Sequence, residues 1–398
     1  MKSIKLIFSF LCLLLAPRRN GITHSQKVLL IFQSPQYYGT HTYFKCLTEY
    51  LTQRGLTIHL VVAEDEINDS VMKVVEKYKI TMTVFNQKQI YPIYHRKGQS
   101  LKSRIYFVLH GLKQLTFLMK IHRVVNPKFT YISVGYPFIW FVGLLLPGKI
   151  FYIQNVMPGY QLDEGNASLL RLGLLLKHPK IIAVSDFCRA RMAHHWHIPA
   201  TKIKMIYYYY VGVEIGKVSS DKVRILSLAR ADEVKNPVLW AEIGNKITAM
   251  RDDVVFIWAG DGNALKEAKS KVNDPTKVQF IGYREDVPEC YANADIFFTP
   301  ARSETGGISV VGAMFHGLPV VTTDTGGTVE SVVDGETGFV VDVTNQEQVI
   351  DRLMRLIDSK ALRDEMGKKG KMRFEQLFTK AIWTKSMDDL LGCWRVNE

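Results

Sequence analysis

From Lys27 onward, short apolar or β-branched runs alternate with amphipathic stretches, the pattern of an α/β protein built on parallel sheets. Lys27–Phe32, Thr57–Val62, Thr81–Phe85, Phe129–Ser133, Ile150–Gln154 and Ile181–Val184 read as strands, with Tyr43–Arg54 and Leu101–Val125 as helices among them. Gly55 stands where a helix C-cap would end the first helix. A second alternation follows, with strands at Val223–Ala229, Val254–Ala259, Val278–Ile281, Ile296–Thr299, Val320–Thr323 and Phe339–Val341 and helices at Pro237–Thr248 and Gln346–Ser359. The pattern predicts two Rossmann-like, doubly wound domains in tandem. The expected division is an apolar and basic extension over 1–26, a first domain over 27–212, a second over 213–379 and a C-terminal helix over 380–398. The join, Tyr207–Ser220, holds four consecutive tyrosines with Gly212 and Gly216 and reads as a hinge.

Composition sharpens this picture. The 398 residues carry 51 Lys+Arg against 38 Asp+Glu, and at 47% hydrophobic and 22% charged the chain lies far from the disordered class. The charge is uneven: 27 basic against 10 acidic residues up to Ile215, and 24 against 28 beyond it. No Asp or Glu occurs between Glu76 and Asp163, and within that stretch Leu101–Val125 interleaves cations with an apolar stripe. Such a helix suits an anionic membrane surface, or it is an ordinary helix whose apolar face is core. Tyr136–Leu146 is apolar enough for core or a shallow membrane contact. Nucleic acid, the other partner of a basic face, is not expected, because no binding module or stacking-aromatic pattern accompanies the charge.

Lys2, Lys5, the apolar run Leu6–Ala16 and Arg18-Arg19 resemble the n- and h-regions of a signal peptide, although the run is short for a bilayer span. An interfacial or buried segment and an export signal both remain open for it, and the chemistry of the remaining chain favours the cell interior. Cys12, Cys46, Cys188, Cys290 and Cys393 are odd in number, scattered and without a Cys-x-x-Cys pair, which points to a reducing compartment and away from disulfides or structural zinc.

Ligands of doubly wound folds bind where the strands end at their carboxyl side, and three such loops stand out. Arg230 and Lys235 lie in the loop after Ile225–Ala229; Glu304, Gly306 and Gly307 precede an apolar helix; Asp324-Thr-Gly326-Gly327 is a further glycine-rich turn. Glycines at a helix start admit a ligand to the backbone, and the first-turn N–H groups favour an anion. Arg230 and Lys235 add fixed positive charge suited to a diphosphate, while Glu304 suits sugar hydroxyls. A nucleotide sugar combines these features. Taken singly, each has a plainer use as a surface charge or a turn. His41, His110 and His316 stand without metal-ligand partners, and Asn68-Asp-Ser70 and Asn166-Ala-Ser168 match the glycosylation sequon at chance level. No Walker motif, Ser-His-Asp order or His-Glu-x-x-His occurs.

Ala229-Arg230 with Lys235, Gly260-Asp261-Gly262, Gly282, Ala292-Asn-Ala-Asp295, Ser303-Glu304-Thr-Gly306-Gly307, Gly317-Leu-Pro319, Gly326-Gly327 and Gly335-Glu-Thr-Gly338 stand in one order. That order resembles the C-terminal domain of the family 4 retaining glycosyltransferases, which have the GT-B fold, over about 150 residues. Strand one, Ser34–Gly39, Gly55 and Ile181–Phe187 resemble the N-terminal domain more loosely, and Phe374–Leu391 is similar to the helix that crosses back to it. The resemblance implies a GT-B protein whose two domains face across a cleft, the first binding acceptor and the second donor. It makes Arg230 and Lys235 the catalytic diphosphate ligands and Glu304 the contact to the donor sugar. Gly306, Gly307 and Ile308 would offer backbone N–H groups, and Gly39 would lie in a loop closing over the phosphates.

The implied reaction is sugar transfer with retention from a UDP- or GDP-sugar to a glycan or lipid-linked acceptor, as in glycan or lipopolysaccharide biosynthesis. It needs no cofactor or metal, in keeping with the absence of Asp-x-Asp, and is placed in the cytoplasm at the inner membrane face. The alternatives are a nucleotide-sugar epimerase of the same fold and a non-catalytic GT-B scaffold. Three positions depart from the family pattern. Gly312 stands where a second glutamate contacts the ribose, Val211-Gly212 where Asn-Gly is usual, and Ile153-Gln154-Asn155 where a histidine is frequent. Gly312 is expected to leave room for a differently seated nucleotide.

Overall fold

The structure is a computed structural model in which residues 26–32, 38–85, 101–133, 146–154 and 179–392 are described. The readings placed on the N-terminal extension up to residue 25, on residues 136–145, on Asn155, on Asn166–Ser168 and on the tail from Cys393 lie outside the described residues, as do the side chains of 101–112. The chain divides into two compact units, one ending at Ala183 but including Arg189–Met205, the other made of Val184–Cys188 and Ile206 onward.

The first unit holds β1 (Lys27–Phe32), α1 (Tyr38–Gln53), β2 (Thr57–Ala63), α2 (Asp69–Lys77), β3 (Thr81–Phe85), α3 (Leu101–Val125), β4 (Phe129–Ser133), β5 (Ile150–Gln154), β6 (Lys180–Ala183), most of α4 (Asp186–Trp196) and β7 (Ile203–Met205). All neighbouring strands are parallel, in the order β3-β2-β1-β4-β5-β6-β7. Parallel strands covered on both faces read as unbroken apolar runs, which is why KVLLIF and its counterparts were legible. Helix α1 begins five residues ahead of the expected Tyr43, because Thr40, His41 and Thr42 break the apolar period in its first turns. Helix α2 and strand β7 were not expected. Asn68 accepts from the Val71 N–H at 3.0 Å, so this half of a glycosylation-like triplet is a helix cap. In the described part of α3, Leu115, Leu118, Met119 and Val125 are buried while Lys113, Lys120 and Arg123 face solvent. Among the described residues, no helix is long and apolar enough to cross a membrane.

The second unit contains β8 (Val223–Leu228), α5 (Pro237–Met250), β9 (Val254–Ala259), α6 (Leu265–Ser270), β10 (Val278–Gly282), α7 (Val287–Ala292), β11 (Ile296–Thr299), α8 (Ile308–Phe315), β12 (Val320–Thr323), α9 (Thr328–Ser331), β13 (Gly338–Val341), α10 (Gln346–Asp358), α11 (Lys360–Leu377) and α12 (Lys380–Gly392). Its sheet is parallel in the order β10-β9-β8-β11-β12-β13. Alternation along each strand feeds two cores. Ile225, Ile296, Phe298 and Val321 join the one built round Trp240 and Trp258, whereas Leu226, Phe297 and Val320 join the one that holds Val311 and Phe374. Asn345 and Ser359 cap α10 and α11 through the N–H groups of Gln348 and Leu362. The helix expected over Phe374–Leu391 is interrupted at Phe378-Thr379, where the Phe378 N–H turns back to the Phe374 carbonyl.

The tyrosine run at the join is anchored in this unit. The Tyr207 hydroxyl donates to Glu330, Tyr209 packs on Trp383 at 4.9 Å, and Tyr210 lies 5.5 Å from Phe315. Tyr208 and Tyr209 are buried. Solvent exposure begins only with Val211, so the hinge-like composition describes the residues after the tyrosines.

Candidate active site

The order of the second sheet reverses between β8 and β11, the first and fourth strands in sequence. That switch point leaves a crevice at the carboxyl ends of the two strands, the place where open α/β sheets take ligands. The loop leaving β8 carries Arg230 and Lys235, and the loop leaving β11 carries Glu304. The structure joins them: the Lys235 ammonium bonds directly to Glu304 Oε2. Both side chains are about four-fifths buried, with 18% and 19% of their surface exposed.

Each loop is fixed by main-chain bonds. After β8, Ala231 donates its N–H to the Asp261 carbonyl at 3.0 Å and the Lys235 N–H bonds Asp232 Oδ1 at 3.0 Å. Asp232 Oδ2 holds the Arg230 guanidinium at 2.9 Å. One carboxylate thus holds the Arg230 guanidinium and the Lys235 backbone, a role that sequence reasoning missed; its position two residues after Arg230 and three before Lys235 was the signal. Asn236 then adopts a left-handed backbone, φ 59°, and Pro237 opens α5.

The Glu304 loop is laced to the glycine-rich turn after β12. The Glu304 N–H bonds the Thr325 carbonyl at 3.0 Å, and Gly327 donates to the Glu304 carbonyl at 2.9 Å. A Cβ on Gly326 would sit 2.0 Å from that carbonyl oxygen, so only glycine permits the approach. Gly307 caps α8 at φ 58°, with Thr328 Cγ2 2.7 Å from where a Cβ would lie, which bars other residues on both counts. The first-turn N–H groups of Ile308 and its successors have no partner within the helix and point their positive end out of it. Burial opposes ionisation of Glu304. The Lys235 ammonium and the N–H groups of Gly307 and Thr305 outweigh it, holding the carboxyl below its ordinary range.

Arg230, Lys235, Glu304, Gly306 and Gly307 therefore lie on the two loops that flank the switch point, and Ile308 opens α8 directly after the second. Gly39 belongs to the first unit, in the first turn of α1 rather than in a loop. Gly312 does not leave a void. A Cβ there would meet the Tyr291 hydroxyl at 2.6 Å and its ring at 2.9 Å. Tyr291, 1% exposed, donates to the Ser309 carbonyl at 2.8 Å and stacks on His316 at 4.9 Å. The expected room for a differently seated nucleotide is thus filled by an aromatic ring.

Residues 214–373 match the model of the family described as "Glycosyl transferases group 1". The match lies within the second unit and covers most of it. Of the curated proteins this chain resembles, spore coat protein SA of Bacillus subtilis is 23% identical over 55% of this chain and 65% of its own length. A galactosyltransferase of Escherichia coli, named as acting from UDP-Gal on GlcNAc-diphosphoundecaprenol, is 27% identical over 32% of this chain and 35% of its own. The chain thus spans less than two thirds of each of these relatives. In structure, Anabaena Alr3699/HepE, described in complex with UDP and glucose, aligns at TM-score 0.72 and 16% identity over 93% of this chain and 100% of that one. The chain has the GT-B fold.

Proposed function

We propose that this protein transfers a sugar, with retention of anomeric configuration, from a UDP- or GDP-sugar to a glycan or lipid-linked acceptor. The donor is taken by the second unit and the acceptor by residues 27–212, at an anionic membrane surface on the cytoplasmic side. The observation that carries the reading is the Lys235–Glu304 pair at the switch point, beside the N-terminus of α8. A diphosphate matches the ammonium and the helix N–H groups, and sugar hydroxyls match the carboxylate.

In the proposed reaction an acceptor hydroxyl oxygen bonds to the sugar's anomeric carbon as the bond from that carbon to the phosphate oxygen breaks. The hydroxyl proton passes to the departing phosphate, and the nucleoside diphosphate leaves. Lys235 and Arg230 offset the charge that grows on the diphosphate, and a charge already in place stabilises the transition state more than one that must be recruited. No metal is required in this scheme.

Incubation with a panel of nucleotide sugars and acceptors, with and without chelator, tests the reading. Release of nucleoside diphosphate with an α-linked product from an α-linked donor supports it. Sugar interconversion without transfer indicates an epimerase, and binding without turnover a scaffold. Inversion at the anomeric carbon refutes retention.

A further inference from the structure

Glu330, on α9, makes bonds that the donor reading does not use. Its Oε2 accepts the Asp186 N–H at 2.8 Å and the Tyr207 hydroxyl at 2.9 Å, and its Oε1 accepts the Phe187 N–H at 2.6 Å. Asp186 and Phe187 open the eleven-residue α4, so the carboxylate satisfies two N–H groups that the helix leaves without partners and complements the positive end of its dipole. The backbone bearing Glu330 is itself clamped, because the Arg373 guanidinium donates to the carbonyls of Glu330 and Ser331 at 2.7 and 2.9 Å.

One residue before this turn, the fully buried Ser185 accepts the Cys188 N–H at 3.0 Å and donates its hydroxyl proton to the Thr305 carbonyl at 2.5 Å. Thr305 separates Glu304 from Gly306. Three short segments thus brace one another: Ser185–Phe187 holds Thr305, the Glu304 backbone is bonded to Thr325 and Gly327, and α9 returns from Gly327 to grip Asp186 and Phe187. The Thr328 methyl also lies against Gly307. Glu330 closes the loop of contacts.

We propose that Glu330 is a positioning residue for the donor loop, acting through Ser185 to hold the Glu304 carboxylate and the N–H groups of Gly306 and Gly307 in the arrangement that receives a nucleotide sugar. The proposal rests on the donor reading. A plain helix cap would affect stability alone. A positioning residue changes donor affinity as well, because its removal lets the Thr305 carbonyl and the loop around it drift while leaving Lys235, Arg230 and the acceptor side intact.

The variants Glu330→Gln and Ser185→Ala separate the two. Gln presents an amide N–H₂ where a carboxylate oxygen now accepts, and Ala removes the bond to Thr305. Isothermal titration with UDP and GDP, donor and acceptor KM, and hydrogen exchange at Thr305–Ile308 are measured for both variants and wild type. Weakening of nucleoside diphosphate binding and a rise in donor KM by about tenfold, with acceptor KM within about twofold and faster exchange at Thr305–Ile308, supports the proposal. Should Glu330→Gln fail to fold, the same pattern in Ser185→Ala carries it. Wild-type donor affinity and exchange in a folded variant overturns it while leaving the donor reading intact. A wild-type protein that binds no nucleoside diphosphate or nucleotide sugar overturns both.

Discussion

Lys235 reaches from the loop after β8 to the Glu304 carboxylate in the loop after β11, so one ion pair spans the switch point of the second sheet. Removing the ammonium takes away the cation proposed to meet the diphosphate and also strands a largely buried carboxylate. Lys235→Ala is expected to lower kcat/KM at least about tenfold, on the scale of losing one charge-stabilising donor. Lys235→Arg restores charge but not shape and is expected to recover only part of the loss. Steady-state kinetics on both variants check this, and a wild-type rate in Lys235→Ala would refute the diphosphate assignment.

Asp232 is expected to matter although it is acidic beside the proposed diphosphate site. It holds the Arg230 guanidinium and accepts the Lys235 N–H. Asp232→Ala should reduce kcat/KM by about three- to tenfold, with a loss of stability of about 1 kcal/mol from the unmade main-chain bond. An unchanged or faster enzyme would show that the carboxylate merely competes with the donor for Arg230.

Gly312 cannot be converted to a glutamate without cost. Because Tyr291 fills the space, Gly312→Ala should destabilise the protein by about 1–3 kcal/mol through overpacking, and Gly312→Glu by more. Adding Tyr291→Leu to Gly312→Ala should recover part of that loss, a coupling read from denaturant unfolding of the four members of the cycle. Strict additivity would mean that the ring moves aside freely.

His316 stacks on Tyr291, and its Nε2 is buried without a hydrogen-bond partner. Burial pushes its pKa down from 6.5 to about 4; Lys371 acts in the same direction and Glu214 against both. The unfolded chain therefore binds the proton more readily than the folded one. Stability is retained above about pH 6.5 and falls as the pH drops toward 4. The expected loss is about 1–2 kcal/mol for this half-buried ring. His316→Gln should flatten that part of the stability curve, measured by denaturant titration between pH 7 and 4.5.

The strands were legible because parallel strands in a covered sheet are apolar throughout: β1, β3, β4, β5, β9, β11 and β12 carry the expected bounds. The misses have local causes. Polar residues in the first turns of α1 masked its start, and β7 spans only three residues. At the candidate site, Arg230, Lys235, Glu304, Gly306 and Gly307 could be placed on their two loops from the chain, because the strand ends that bear them were legible. Ser185, Tyr291 and Glu330 could not, since each acts through a partner fixed only by the fold, whereas Asp232 was missed although its partners lie two and three residues away in its own loop. Tyr291 is 21 residues from Gly312, and Glu330 lies 144 residues from Asp186.

The second unit is not one continuous stretch of chain, because Val184–Cys188 belongs to it. A fragment beginning at Ile206 would include every charged residue proposed to bind the donor and yet lack the hydroxyl that donates to the Thr305 carbonyl and both N–H groups that fill the Glu330 carboxylate. Dissection at the apparent boundary therefore cuts through the unit rather than beside it. An autonomous version would need the five-residue turn grafted back, and during synthesis that turn emerges before the domain it completes.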